Sequence, residues 1–158
     1  MSRQTSAGIL VWRDGAVGPQ FLLAHPGGPF WAGKDAQAWS IPKGLVEAGE
    51  DGLAAALREF AEELGHSIAG AATPLAPCRT SGKTILAWLL KADLDVSHIR
   101  SNQVQMEWPP RSGRIAVFPE IDRAAYFDAR DALVRVHKGQ RPILVEAMTR
   151  LGAPPAVD

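Results

Sequence analysis

The sequence predicts an α/β domain in which a mixed β-sheet is flanked by helices. Three observations lead there. Short apolar runs bounded by turn residues alternate irregularly with amphipathic stretches, the pattern of a mixed sheet covered by helices. The 158 residues fit one domain better than two. The composition, 46% hydrophobic and 22% charged, supplies enough apolar side chains for a sizeable core. No repeat or linker interrupts the chain, so residues 1–152 read as a single domain and 153–158 as a frayed tail.

Ala7 to Trp12 and Gln20 to His25 read as two buried strands, separated by the turn signals Arg13-Asp14-Gly15 and Gly18-Pro19. A glycine-rich aromatic loop follows from His25 to Gly33. Trp39-Ser40-Ile41 is extended, because Pro42 biases Ile41 away from helix. The clearest helix runs from Asp51, which can cap its start, to Leu64, with Gly65 as its stop. Leu75 to Thr80 and Thr84 to Lys91 form a hairpin around Ser81-Gly82-Lys83. Residues 101–113 are a polar, proline-interrupted loop, and Arg114 to Phe118 a further strand. Asp128 to Lys138 and Pro142 to Leu151 are terminal helices. In the second, Ile143, Leu144, Ala147, Met148 and Leu151 make one apolar stripe.

Equal numbers of basic and acidic side chains, 17 each, exclude a nucleic-acid coat or a polybasic membrane binder. No apolar run approaches the roughly 18–20 residues that span a bilayer. The N-terminal residues do not lead into a signal-peptide core. One cysteine, Cys78, allows no intrachain disulfide, so a reducing cytoplasm is expected. Neutrality conceals an uneven distribution. Residues 44–65 carry Arg58 against Glu47, Glu50, Asp51, Glu59, Glu62 and Glu63, a net of −5, and residues 79–114 carry a net of +3.

The acidic block coincides with the 51–64 helix. At 100° per residue, Leu53, Leu57, Phe60 and Leu64 share one side, and Glu59, Glu62 and Glu63 share another roughly 140° away. A solvated acidic face is the ordinary reading of such a cluster. Yet like charges three or four residues apart repel, and Arg58 is the helix's one cation. A divalent cation would convert that repulsion into binding, and oxygen donors suit Mg²⁺ or Mn²⁺.

Gly44-x5-Glu50-x7-Arg58-Glu59-Phe60-x-Glu62-Glu63-x-Gly65-His66 resembles the Nudix signature, G-x5-E-x7-R-E-U-x-E-E-x-G-U with U bulky and aliphatic. All seven fixed positions match, which at a given start arises by chance with odds on the order of 10⁻⁸. Phe60 is apolar but aromatic, and His66 departs from the pattern at a packing position. The resemblance implies an α/β/α sandwich with its catalytic loop–helix–loop at 44–66. It also implies Mg²⁺- or Mn²⁺-dependent hydrolysis of a nucleoside diphosphate linked to another moiety. Glu59, Glu62 and Glu63 would ligate metal with the Gly44 carbonyl, and Glu59 would serve as base. Arg58, counted with Glu59 and Glu63 in the catalytic set, would brace the loop by pairing with Glu50, while Gly65 ends the helix. The family's additional acidic ligand would be Glu120, ahead of Glu107.

Trp39-Ser40-Ile41-Pro42-Lys43-Gly44 is similar to the branch acting on diadenosine polyphosphates and diphosphoinositol polyphosphates, which puts Lys43 beside a phosphate. Lys83, Arg111 and Arg114 are further candidate phosphate cations, and Trp31, Trp39, Trp108 and Tyr126 candidates to stack a base. Trp12 and Trp88 lie in strands and read as core. Ser81-Gly82-Lys83-Thr84 is not a phosphate-binding P-loop, because the earlier glycine that motif needs falls at Pro77. The four histidines share no ligand spacing. The expected partner is therefore a small nucleotide or linear polyphosphate, such as a dinucleoside polyphosphate. The competing expectations are a nucleotide-sensing module without turnover and a hydrolase of RNA 5′ ends.

Overall fold

The computed structural model describes residues 4–155. Strand β1 (Gln4–Gly15) lies at the centre of a seven-stranded sheet, and β2 (Gly18–Pro26) returns antiparallel beside it. The short β3 (Lys43–Leu45) pairs with the start of β1, then helix α1 (Gly52–Leu64) follows. Next come β4 (Ala72–Pro74), β5 (Cys78–Thr80) and β6 (Lys83–Lys91), whose last strand runs parallel to β1 and makes the sheet mixed. A separate hairpin, β7 (Gln103–Glu107) and β8 (Ile115–Pro119), precedes β9 (Ile121–Asp128), which pairs with β2. Helix α2 (Ala129–Arg135), a 3₁₀ turn (Lys138–Gln140) and α3 (Arg141–Arg150) close the fold. Among the described residues no helix is long and apolar enough to cross a membrane.

Strand periodicity divides the core into two layers. Ala7, Ile9 and Val11 of β1 pack with Ala55, Ala56, Phe60 and Leu64 of α1 on one face. Leu10 on the other face packs with Ile143, Leu144, Ala147 and Met148, the stripe expected on α3. The sheet is thus sandwiched between helices. Asp51 caps α1 as expected, its carboxylate accepting the Ala54 amide, and Gly65 ends it at φ 72° with its amide donated to the Ala61 carbonyl.

Several segments differ from the sequence expectation: β3 and β4 are additional short strands, and the expected strand Leu75–Thr80 is confined to Cys78–Thr80. Part of the expected loop 101–113 is strand β7, paired with β8 from Gln103↔Pro119 to Glu107↔Ile115. Its polar residues hide an extended segment whose stability comes from cross-strand partners. Strand β9 is missing from the sequence reading because Asp122 and Arg123 break its apolar alternation. The first terminal helix also stops at Arg135 rather than Lys138, and His137 begins a separate turn. Of the expected tail, residues 156–158 lie outside the described residues.

Candidate functional site

Strand β3 joins the sheet's two faces at one end. Consecutive strand residues point to opposite sides, so Lys43 and position 44 address different chemistry. At position 44 an added Cβ would lie 2.0 Å from the Glu59 Cδ, so only glycine lets the backbone press against that carboxylate. The Lys43 backbone amide lies near the Glu63 carboxylate and favours its charged form, a smaller effect than the burial that opposes it.

Arg58 organises the loop before α1. Its Nε and Nη2 donate to Glu50 Oε2 and Oε1 at 2.8 and 2.9 Å, a two-pronged pairing, and Nη2 also donates to the Leu45 carbonyl. Nη1 donates to Glu59 Oε1 at 2.9 Å and to Glu62 at 3.3 Å. The Arg58 hydrogen bonds, with the Glu47 amide, pull the Glu50 pKa down to about 2. Glu50 and Arg58 therefore hold the loop by a fully charged pair.

The remaining carboxylates are less well balanced. Glu63 is only 7% exposed, and burial, followed by repulsion from Glu120, pushes its pKa up to about 8. Burial also raises Glu59, outweighing its Arg58 hydrogen bond. Lys43 is lowered by burial against the opposing attraction of Glu63. Glu120 acts on Glu63, Glu59 and Lys43 alike, which places it in this cluster. Glu107 instead accepts the Arg111 amide at 2.7 Å and closes the β7–β8 turn.

Among the described residues no three His, Cys, Asp or Glu side chains stand as a preformed metal cage. The donors nonetheless fit a hard divalent cation. They are oxygens, they crowd around a glycine backbone that tolerates no Cβ, and Glu63 is buried beyond what Lys43 neutralises. This imbalance has a measurable consequence. In the metal-free protein Glu63 keeps its proton up to about pH 8, while the unfolded chain releases it near 4.5. The folded state then binds more protons across that window, so stability falls as pH rises through it, by on the order of a few kcal/mol. Melting under chelator is expected to drop from pH 5 to pH 8. A pH-independent melting temperature would contradict this balance.

On the opposite face a cavity of about 330 Å³ opens, lined by Lys43, Lys83, Trp31, Trp39, His137 and Gln140 among others. Lys43, Lys83 and Trp39 thus share one cavity. Trp39 is mainly a core residue, 3% exposed, edge-on to Phe127 at 4.9 Å and donating Nε1 to Asp35. Arg111 is not brought here: the hairpin register carries it to the turn at the far end from Glu120. Tyr126 faces a different cavity, its ring under the Arg13 guanidinium at 3.8 Å and its hydroxyl bonded to Leu94 and Ala92. His66 donates to the His98 carbonyl and ties down the chain after α1, a polar substitute for aliphatic packing at that position. His137 and Gln140 escape the sequence reading because they come from a 3₁₀ turn about a hundred residues beyond Trp39 and Lys43, with no local motif to mark them.

A family model described as the NUDIX domain matches residues 2–147. The chain belongs to the Nudix family. With all seven fixed positions of the Nudix signature present, it is a hydrolase of phosphorus-containing acid anhydrides. Nudix hydrolases generally use divalent metal ions. Solved structures share the fold at low identity. A Caenorhabditis elegans Ap4A hydrolase in a binary complex is 21% identical over 94% of this chain and 98% of its own, with a TM-score of 0.61. The NUDIX domain of Shewanella oneidensis NrtR, complexed with ADP ribose, is 12% identical over 96% and 90%, at 0.66. The Escherichia coli ORF135 protein is 21% identical over 99% and 96%, at 0.62. No curated protein matches the chain.

Proposed function

We propose that the protein is a Mg²⁺- or Mn²⁺-dependent pyrophosphohydrolase acting on a nucleoside diphosphate linked to another moiety, such as a dinucleoside polyphosphate. The observation that carries this reading is the adjacency of an under-neutralised carboxylate cluster and a lysine-lined cavity, joined through Lys43 and Gly44. Glu59, Glu62, Glu63, Glu120 and the Gly44 carbonyl would hold the metal. When bound, it would supply charge stabilisation at the phosphoryl oxygens and acidify the attacking water. Glu59 is positioned by Arg58 to accept the water's proton while the water oxygen bonds to phosphorus and the anhydride P–O bond breaks. Lys43 meets the phosphate oxygens from the cavity side, and Lys83 lines the same wall. The C. elegans Ap4A hydrolase is named for a substrate of this class, and the single cysteine suits a reducing cytoplasm.

The test is a hydrolysis screen over nucleotide and polyphosphate substrates in ¹⁸O-labelled water, with and without Mg²⁺ or Mn²⁺. The expected result is metal-dependent release of a nucleotide with ¹⁸O in one product phosphate. Ligand binding without turnover across the panel would favour the sensing module instead.

A further inference from the structure

The glycine-rich segment that opens at His25 grips the stretch of chain that carries Glu120. The Gly27 amide donates to the Glu120 carbonyl at 2.8 Å, and the Glu120 amide donates to the Asn102 carbonyl at 2.7 Å. Both backbone groups of Glu120 are therefore held, each by a different segment. A Cβ added at Gly27 would collide with the Pro119 carbonyl oxygen, so this approach requires glycine. Ser101 Oγ closes the same stretch by accepting the Ile121 amide and donating to the Ile121 carbonyl, both at 3.1 Å.

The ladder between β2 and β9 is irregular at this place. Register runs evenly from Gln20↔Asp128 to His25↔Arg123, then Pro26 pairs with Ile121, which leaves Asp122 as the extra residue of a β-bulge. Strand parity shows the effect. Ile121 and Ala124 are three residues apart, a separation that puts side chains on opposite faces of a regular strand. Yet both pack on the face covered by α1. The bulge thus resets the facing of the chain just before it, where Glu120 lies.

His25 holds the bulged residue. It is fully buried and packs edge-on to Trp39 at 5.1 Å. Its Nδ1 donates to Asp122 Oδ1 at 2.9 Å and its Nε2 to the Lys34 carbonyl at 2.7 Å. Both partners are acceptors, so the ring makes the two bonds with both nitrogens protonated. Arg123 Nε stands 3.9 Å from the same Asp122 oxygen.

We propose that His25 and Asp122 are positioning residues: their bridge fixes the β-bulge and, with the Gly27 amide, sets the Glu120 carboxylate in the cluster with Glu59 and Glu63. Asp122 acts through the backbone rather than on the cation. The inference rests on the reading of Glu120 as a metal ligand.

The experiment is titration of Mn²⁺ into the full-length protein without substrate, read by electron paramagnetic resonance, with melting in chelator to check that each variant is folded. In Asp122→Ala the bridge is lost, and Mn²⁺ affinity is expected to fall about tenfold or more, the usual effect of removing a group that orients a ligand. In Asp122→Asn the amide donates to His25 Nδ1 while Nε2–H stays on Lys34, so the bridge survives without the charge and affinity should remain near wild type. Gly27→Ala pushes against the Pro119 carbonyl while leaving Asp122 in place, and it should weaken Mn²⁺ binding similarly. It carries the test should Asp122→Ala not fold. Neither loss should add to that of Glu120→Gln, because both act through that carboxylate. Equal loss in Asp122→Ala and Asp122→Asn, wild-type affinity in Asp122→Ala or Gly27→Ala, or additive loss in the double variants would overturn the positioning role alone. Wild-type affinity in Glu120→Gln would remove Glu120 from the metal set and this inference with it, leaving the hydrolase reading on the other glutamates. A wild-type protein that binds no Mn²⁺ would overturn the metal-dependent reading and the inference together.

Discussion

Replacing Glu63 with glutamine is expected to lower kcat by at least about a hundredfold while leaving the protein folded. The two halves of that result have different causes. Glutamine has the same shape and fills the same buried space at 7% exposure, without a charge to desolvate, so the packing there survives. It removes the anionic charge that would hold a divalent cation, and with it the stabilisation of charge developing on phosphorus. The same substitution should flatten the pH dependence of melting in chelator, because burial beside Glu120 is what keeps the Glu63 proton on to about pH 8. Added Mg²⁺ or Mn²⁺ should raise the wild-type melting temperature at pH 8 far more than that of Glu63→Gln. Wild-type turnover in Glu63→Gln would remove the metal assignment.

Gly44→Ala is expected to be as damaging through sterics alone. Its Cβ would stand 2.0 Å from the Glu59 Cδ and Oε2, well inside any real contact. Either Glu59 swings away from Arg58 Nη1, now 2.9 Å distant, or β3 leaves its register with Ala7. The overpacking should cost about 1–3 kcal/mol of stability. A displacement of Glu59, the proposed base, by about 1 Å should cost about a hundredfold in kcat. Melting and steady-state kinetics on the one variant check both effects. A variant with wild-type kinetics would show that the Gly44–Glu59 approach is not needed for the chemistry.

The helix and its chemistry were legible because they are local. The Glu59-Phe60-x-Glu62-Glu63 spacing determines which side chains share a face, the Asp51 and Gly65 ends follow from capping rules, and the Arg58–Glu50 pairing spans eight residues of one loop and helix. The α3 stripe was legible for the same reason: Ile143, Leu144, Ala147 and Met148 repeat at helical spacing and are all buried. Strands β7 and β9 were not. The sequences Gln103–Glu107 and Ile121–Asp128 become strands through partners in β8 and β2, and neither carries a clean alternation of its own.

The acidic block in a chain of zero net charge thus belongs to local sequence, and its pattern places the chain in its family before any coordinate is known. What the sequence does not contain is the other half of the site. Lys43 beside Gly44 is contiguous in the chain, but His137 and Gln140, which line the same cavity, approach from a turn about a hundred residues away. The resemblance already ranks Glu120 ahead of Glu107, but the effect of Glu120 on Glu63 is a matter of the fold: β8 leads straight into β9 while the hairpin carries Glu107 outward. Periodicity and capping act over one or two helical turns, so they are written in the sequence. Burial, like-charge repulsion and cavity shape depend on which distant segments are packed together, and only the folded chain decides that.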